Sequence, residues 1–145
     1  MKPEFTEYFT AVGMPNTVQN RIEAIYEYYV DICPEQLDDV FVTDLVKEDQ
    51  TRSFQSLWFF SASLMMEAKD FVSKDDFDMT GMRNKVTYWS IEKQSYDFMR
   101  AVESSRLSLK FSLSTGVVGN LKATGKNCDY LRGIILKYVK ANMVM

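Results

Sequence analysis

Apolar residues fall on every second position from Leu107 to Leu113, and the pattern resumes after Gly116, from Val117 to Ala123. A period of two is typical of strands that bury one face. The apolar positions before and after Gly116 share one parity, which predicts a β-hairpin whose buried face carries Leu107, Leu109, Phe111, Leu113, Val117, Gly119, Leu121 and Ala123. The alternate side chains, among them Lys110, Lys122 and Thr124, are expected to face outward.

The shared parity also predicts the turn of this hairpin. If Leu113 pairs with Val117, the loop has three residues and ends at Gly116, which supplies the left-handed conformation that such a loop requires. A two-residue loop would turn the apolar face of one strand into solvent. The three-residue loop sets Phe111 opposite Gly119, and the neighbouring apolar pairs follow.

An amphipathic helix is predicted directly after the hairpin. Asn127 is a natural N-cap, and Asp129 lies in the first turn, where a negative charge is favoured. Apolar residues then recur at helical spacing, at Leu131, Ile134, Ile135, Tyr138 and Val139. Cys128 continues this apolar stripe, so a place in the core is favoured over a reactive thiolate at the start of the helix.

The N-terminal third of the chain predicts two helices. Residues 3–12 form a short one, and residues 16–33 form a longer one that Asn16 or Thr17 caps and Pro34 ends. The longer helix is acidic on one face, and its other face is predicted to be buried through Val18, Ile22, Ile25, Tyr29 and Ile32.

The middle of the chain reads as β-rich segments joined by short turns. Residues 63–71 would also suit a helix, and a strand is favoured because the neighbouring segments are strands. Residues 72–82 are expected to be an acidic loop and residues 92–95 a turn. With the hairpin, seven strands are predicted, the first five covering residues 37–46, 52–62, 63–71, 85–91 and 96–102.

Seven consecutive strands followed by a helix predict an α+β fold in which an antiparallel meander curls on itself. This order of elements resembles the pleckstrin-homology-like (PH-like) fold, particularly its small bacterial members, over about residues 36–141. The resemblance implies a seven-stranded, partly open barrel over residues 36–145, closed by the C-terminal amphipathic helix. Residues 1–35 then form an additional N-terminal helical extension packed on the barrel. A helix-grip (START-like) barrel, which would enclose a cavity, is the alternative.

The same resemblance suggests one candidate site for an anion. PH-like members that bind phosphoinositides carry a lysine late in the first strand and paired basic residues in the second, and Lys47 and Arg52 match the first two of these positions. Phe54 stands where the third basic residue is expected. Glu48 and Asp49 lie between them and would repel a polyphosphate, which weakens the hypothesis of a lipid headgroup site.

Charge is distributed unevenly along the chain, although its net value is only −3. Residues 1–50 contain 3 basic and 11 acidic side chains, whereas residues 101–145 contain 7 basic and 2 acidic ones. Mutual neutralisation of the two ends is favoured over a basic end that faces an anionic partner. The N-terminus lacks the apolar stretch of a signal peptide, and no apolar run approaches the roughly 20 residues of a membrane span. A soluble, cytoplasmic protein is therefore expected.

Few residues offer reactive chemistry. The chain has no histidine, which removes the commonest general base and metal ligand. Asp75, Asp76 and Asp78 lack the glycine and glutamate spacing of an EF-hand, so a solvated acidic loop is expected. Two cysteines, at positions 33 and 128, are too few for a disulfide framework and are expected to be buried thiols. We predict no enzyme, no cofactor and no metal.

Two sets of residues remain as candidate binding sites. Arg106, Lys110, Lys122 and Lys126 form a basic strip on the outward face of the hairpin, without the exposed aromatic residues that a nucleic-acid platform needs. A solvated sheet face is the alternative for this strip. The aromatic run 58–60 must present large side chains on both faces of its strand. The face of the helix 16–33 that carries Ile22, Ile25 and Tyr29 is expected to cover this aromatic surface, within the chain or between chains, with Trp58 as the strand residue of the interface.

These observations favour a non-catalytic module that binds a protein partner or associates with itself. The alternatives are peripheral binding to anionic membrane lipid through the basic residues, and binding of a small apolar ligand in a barrel cavity. No nucleic acid is expected as a partner.

Overall fold

The computed structural model describes residues 1–47, 51–95 and 105–144. Its elements are the helices α1 (Pro3–Ala11) and α2 (Asn16–Ile32), the strands β1 (Asp39–Val46), β2 (Arg52–Phe60), β3 (Leu64–Lys69), β4 (Asp78–Arg83), β5 (Val86–Ser95), β6 (Ser105–Leu113) and β7 (Val118–Thr124), and the helix α3 (Asn127–Ile134). A π-helical segment, Ile135–Lys140, continues α3.

The strands form two antiparallel sheets. One has four strands in the order β1-β2-β3-β4, and the other has three in the order β5-β6-β7. The predicted α+β class, with antiparallel sheets, is therefore confirmed. Within the described ranges the two sheets do not join into one closed barrel, although β1 lies against β7.

The β6-β7 hairpin has the predicted turn and register. The Leu113 N–H donates to the Val117 carbonyl at 2.8 Å, and Gly116 ends the loop with φ +90°. Phe111 pairs with Gly119, as expected. Two predictions on this hairpin were wrong: Val117, expected to be inside, is 37% exposed, and Thr124, expected to face outward, is buried.

The strand boundaries in the middle of the chain differ from the predictions. A strand, β4, occupies the end of the region predicted as the acidic loop 72–82, and β5 runs through the turn predicted at residues 92–95. Strand β4 and residues 92–94 of β5 lie at sheet edges and bury little, so these two segments lack a clear apolar period. The strand predicted at residues 96–102 lies outside the described residues.

The four-stranded sheet is covered on both faces. Phe59 packs edge-on against Tyr29 of α2, with ring centroids 5.3 Å apart. The next side chain along β2, Trp58, points to the other face and packs against Phe111 of β6 at 5.7 Å. Phe60 stacks on Tyr138, in the π-helical segment, at 4.7 Å. Alternate positions of one strand thus contact α2 on one side, and β6 and the C-terminal helical segment on the other.

Both N-terminal helices lie where the sequence predicted them, and α2 buries Val18, Ile22, Ile25 and Tyr29. Its predicted apolar face fails only at Ile32, which is 69% exposed. The predicted cap also fails, because the N-cap position is Pro15 and no side chain bonds to the first turn from there.

Candidate functional site

Polar side chains from five elements (α1, β1, β2, β7 and α3) meet where β1 faces β7. The Asp44 carboxylate, fully buried on β1, accepts hydrogen bonds from four donors. They are the Thr124 backbone N–H at 3.1 Å, the Thr124 hydroxyl, Asn127 Nδ2 at 2.8 Å and Arg52 Nε at 2.6 Å. The Arg52 guanidinium also donates to the carbonyl of Val12, just after α1.

The backbone of β1 is bonded by side chains at the same place. The Val42 N–H donates to the Tyr8 hydroxyl at 3.0 Å, and Asn127 Nδ2 donates to the Val42 carbonyl at 2.9 Å. The Tyr8 hydroxyl in turn donates to Asn127 Oδ1 at 2.8 Å. Side chains thereby satisfy the Val42 N–H and carbonyl on β1 and the Thr124 N–H on β7, which are backbone groups at the facing edges of the two sheets. We call these five side chains (Tyr8, Asp44, Arg52, Thr124 and Asn127) the polar seam.

The polar seam is a structural bridge between the two sheets. Asn127 was predicted to cap the last helix, and this was wrong: the N-cap is Lys126, without a side-chain bond, and the Asn127 amide is engaged by the seam. Burial raises the pKa of the Tyr8 hydroxyl above its usual range. Every polar group of the seam that is buried has a partner inside the protein, so the cluster holds β1, β7 and the two terminal helices together.

The basic residues predicted near the first hairpin have different environments. Lys47 is exposed at the end of β1, whereas Arg52 is committed to Asp44 and also lies over the Phe54 ring at 4.9 Å. Residues 48–50, which include the two acidic residues expected to repel a polyphosphate, lie outside the described part of the chain. The Arg52 side chain is therefore engaged mainly by the polar seam.

The lysines of the predicted basic strip are exposed, whereas its arginine is not fully so. Lys110 of β6 and Lys122 of β7 are exposed, and Lys126 is exposed just beyond β7. Arg106 is half-buried and donates to the Val46 carbonyl at 3.3 Å. Glu92 of β5 pairs with Ser108 on the same outward face of the sheet, so a negative charge accompanies the lysines.

The residues predicted as an interface lie inside this chain. Ile22 and Ile25 are fully buried, and Tyr29 contacts Phe59. Trp58 is buried on the opposite face of β2, away from α2. The aromatic surface that α2 covers is therefore the one centred on Phe59.

An exposed apolar strip on β5 escaped the sequence analysis. Trp89 and Ile91 stand opposite Phe111 and Leu109 and share their face of the sheet, yet they are 47% and 41% exposed. Tyr88 is exposed on the other face of the same strand. Large apolar side chains on the core-facing side of a sheet are usually buried, but among the described residues nothing covers this edge.

As far as the described residues show, the backbone of β5 is also open at this edge beyond Val86. Within residues 1–47, 51–95 and 105–144, the free side of β5 has one backbone partner, the parallel bridge between Val86 and Met143. Along an antiparallel strand, every second residue directs its backbone groups to the same neighbouring strand. Leu113 of β6 bonds to β7, so Phe111 and Leu109 also direct their backbone groups to β7 rather than to β5. Their partners Trp89 and Ile91 therefore direct their own backbone groups away from β6, toward the free edge. Apolar side chains and free backbone groups therefore lie along one strand.

The two cysteines are free and half-buried, rather than fully buried as predicted. Burial raises the pKa of the Cys128 thiol, with the nearby Asp44 charge acting in the same direction, so this thiol is not activated by its place in the first turn of α3. In the described part of the chain no cluster of three or more cysteine, aspartate or glutamate residues is arranged to hold a metal ion. Asp75 instead forms an exposed ion pair with Arg21 at 3.2 Å.

None of the described helices combines the length and apolarity that a membrane crossing requires. No protein-family model, no curated protein and no solved structure matches this chain.

Proposed function

We propose that this protein is a non-catalytic interaction module whose contact surface is the edge strand β5. The partner adds an extended segment to β5 and covers Trp89 and Ile91. The partner is a second protein or a second copy of this chain. The observation that carries the proposal is the exposure of both side chains on a strand whose backbone, beyond Val86, has no partner at the same edge among the described residues.

Strand addition explains both features at once. Main-chain hydrogen bonds to an open edge supply affinity, and side-chain contacts at alternate positions supply specificity. Natural proteins usually protect such edges with charges, bulges or cover. In β5 the charged residues Glu92 and Lys93 follow the apolar ones, so the protected part of the edge begins where the apolar strip ends.

We propose further that the fold is PH-like, with the barrel partly open and the C-terminal helix closing one end. The split into four and three antiparallel strands, followed by a helix that contacts β7, β1 and β6, supports this assignment. The two N-terminal helices are then additions that cover the four-stranded sheet. A PH-like scaffold would present β5 as a rigid edge for a partner.

The test compares the unchanged chain with Trp89→Thr/Ile91→Thr, because threonine keeps β-propensity while removing apolar surface. Val118→Thr, at an exposed apolar position of the same sheet, is the matched control. Sedimentation at rising concentration measures self-association. Selection of extended peptides from a displayed random library measures capture of another chain.

The proposal requires association or peptide capture that the double variant loses and Val118→Thr keeps. A chain that stays monomeric at every concentration and enriches no peptide would overturn it. Association that both variants retain would also overturn it, because the contact would then lie elsewhere.

A further inference from the structure

A cavity of about 290 Å³ lies between the C-terminal end of α2 and the face of the four-stranded sheet that carries Phe59. It is separate from the core between the two sheets and from the edge of β5. Tyr29 and Ile32 line it from α2, and Phe59, Leu64 and Met66 line it from the sheet. The exposure of Ile32, which the helical pattern predicted to be buried, follows from its place at this opening.

The cavity owes part of its space to Gly81. This residue pairs with Met66 across β3 and β4, on the face that carries Phe59. A Cβ atom built on Gly81 would meet only the Met66 methyl group, at 4.0 Å, which is ordinary contact. A larger side chain at position 81 would therefore extend into open space, and the absence of one leaves room beside Met66.

One charged side chain lines this otherwise apolar cavity. Arg83 is exposed and, within the described residues, forms no ion pair and no side-chain hydrogen bond. It interacts at longer range with the carboxylate of Glu35. That carboxylate accepts hydrogen bonds from the hydroxyl of Ser61 at 2.7 Å and from the backbone N–H and hydroxyl of Ser63 at 3.0 Å and 2.5 Å.

Among the described residues, these contacts leave the Arg83 guanidinium as the charged group of the cavity that has no hydrogen-bond or ion-pair partner. Hydrogen bonds from Ser63 and Ser61 lower the pKa of Glu35, and Arg83 adds only a smaller, longer-range contribution. A guanidinium presents a planar fork of donors that matches a carboxylate. An apolar volume with one such group at its wall is the usual composition of a small-ligand site, where a few polar groups fix orientation.

We propose that this cavity binds a small amphiphile that has an apolar chain and a carboxylate head, in the manner of a medium-chain fatty acid. The chain occupies the space beside Gly81, Met66 and Phe59, and the carboxylate meets Arg83. The volume lies near the lower end of the roughly 300–1,000 Å³ of small-molecule pockets, which favours a short chain over a long one. The proposal does not depend on the function assigned to β5.

The expected binding pattern follows from these two contacts. Each methylene that enters the cavity strengthens binding roughly fourfold, so decanoate binds more tightly than octanoate while the chain still fits. Decanol, which has the same chain and no charge, binds about tenfold or more weakly because it forgoes a charge-assisted pair. A cationic amphiphile of equal length is expected to bind more weakly still.

The experiment titrates octanoate, decanoate and decanol, below their aggregation thresholds, into the full chain. Calorimetry gives the affinities. Methyl resonances of isotope-labelled methionines report the location, because Met66 borders the cavity whereas Met1 and Met14 do not line it. Saturable shifts at Met66 with the expected order of affinities are the supporting result.

Two variants separate volume from charge. Gly81→Ile fills the cavity, and because isoleucine suits a strand it should not lower the melting temperature. It is expected to abolish binding of all three probes. Arg83→Gln is expected to weaken decanoate about tenfold and to leave decanol unchanged. Lys85→Gln, with the same change of charge at an exposed residue that does not line the cavity, should alter neither.

Three results would overturn the proposal. The first is the absence of Met66 shifts with any probe while the chain is folded. The second is decanoate binding that Gly81→Ile retains. The third is a set of Met66 shifts that appear without a probe as protein concentration rises and vanish in Gly81→Ile, which would assign the cavity to a contact between two copies.

Discussion

Replacing Asp44 by asparagine tests the polar seam with the smallest change of shape. The carboxylate receives four donors, two on each oxygen. An asparagine can keep two of them on its single oxygen. If its NH₂ group takes the place of the oxygen that Arg52 and Thr124 share, it confronts the Arg52 Nε–H, a fixed donor, and only the Thr124 hydroxyl can turn to accept from it, so hydrogen bonds are lost. The Arg52 guanidinium also loses its countercharge.

The cost can be estimated from these contacts. Hydrogen bonds to a charged group contribute about 1.5–3 kcal/mol each, and removing one partner of a buried ion pair costs about 3–5 kcal/mol. The Arg52 side chain is 29% exposed, so water compensates it in part, and the lower end of that range applies. We expect Asp44→Asn to lower the free energy of unfolding by about 3 kcal/mol, a large part of the ~5–15 kcal/mol typical of a domain.

Urea denaturation followed by circular dichroism measures this loss, and Asp75→Asn is the matched control. Both aspartates pair with an arginine Nε, at 2.6 Å for Asp44 and 3.2 Å for Asp75. The Asp44 side chain is 0% exposed and the Asp75 side chain is 94% exposed. The exposed pair should contribute less than about 1 kcal/mol. Equal losses in the two variants, or a loss below about 1 kcal/mol for Asp44→Asn, would refute the reasoning.

Two further predictions concern packing and pH. Gly119→Ala should lower stability by about 1–3 kcal/mol, because its Cβ would lie 2.2 Å from a ring atom of the buried Phe111. Gly133→Ala in α3 should raise stability by about 0.5–1 kcal/mol, because alanine favours a helix over glycine and nothing lies within 4 Å of the added Cβ. Denaturation midpoints of the two glycine variants that move in the same direction would contradict these two predictions. Burial raises the pKa of Tyr8 above its unfolded value near 10, so its contribution to stability is intact below pH 10 and declines above it. Between pH 10 and pH 11 the contribution of Tyr8 to the free energy of unfolding should fall by about 1 kcal/mol. In urea melts at a series of pH values, Tyr8→Phe should therefore lose stability less steeply above pH 10 than the unchanged chain.

The hairpin and the helices could be predicted because their signals are local. A parity shared across Gly116 is enough to specify the turn, and the Phe111–Gly119 pair follows from it. In α2 the apolar stripe identifies Ile22, Ile25 and Tyr29, since the helical period alone decides which side chains share a face.

The residues that the sequence misplaced depend on distant partners. Thr124 and Asn127 are polar and sit at positions where a solvated strand end and a helix cap are the usual assignments. Both are buried because Asp44, some 80 positions earlier, accepts their hydrogen bonds. No local pattern contains that information. The exposure of Trp89 and Ile91 on β5 also depends on distant segments, because it is decided by whether another part of the chain covers that edge, and none of the described residues does.

The polar seam also sets the order in which the protein can be completed during synthesis. Tyr8 leaves the ribosome early, and its partner Asn127 is 119 positions later. Until α3 is released, the Val42 carbonyl and the Asp44 carboxylate lack the Asn127 amide, and β7 is not yet in place. The nascent chain therefore carries an unfinished β1 edge from the release of β1 until the release of α3, which joins the two sheets into one folded unit.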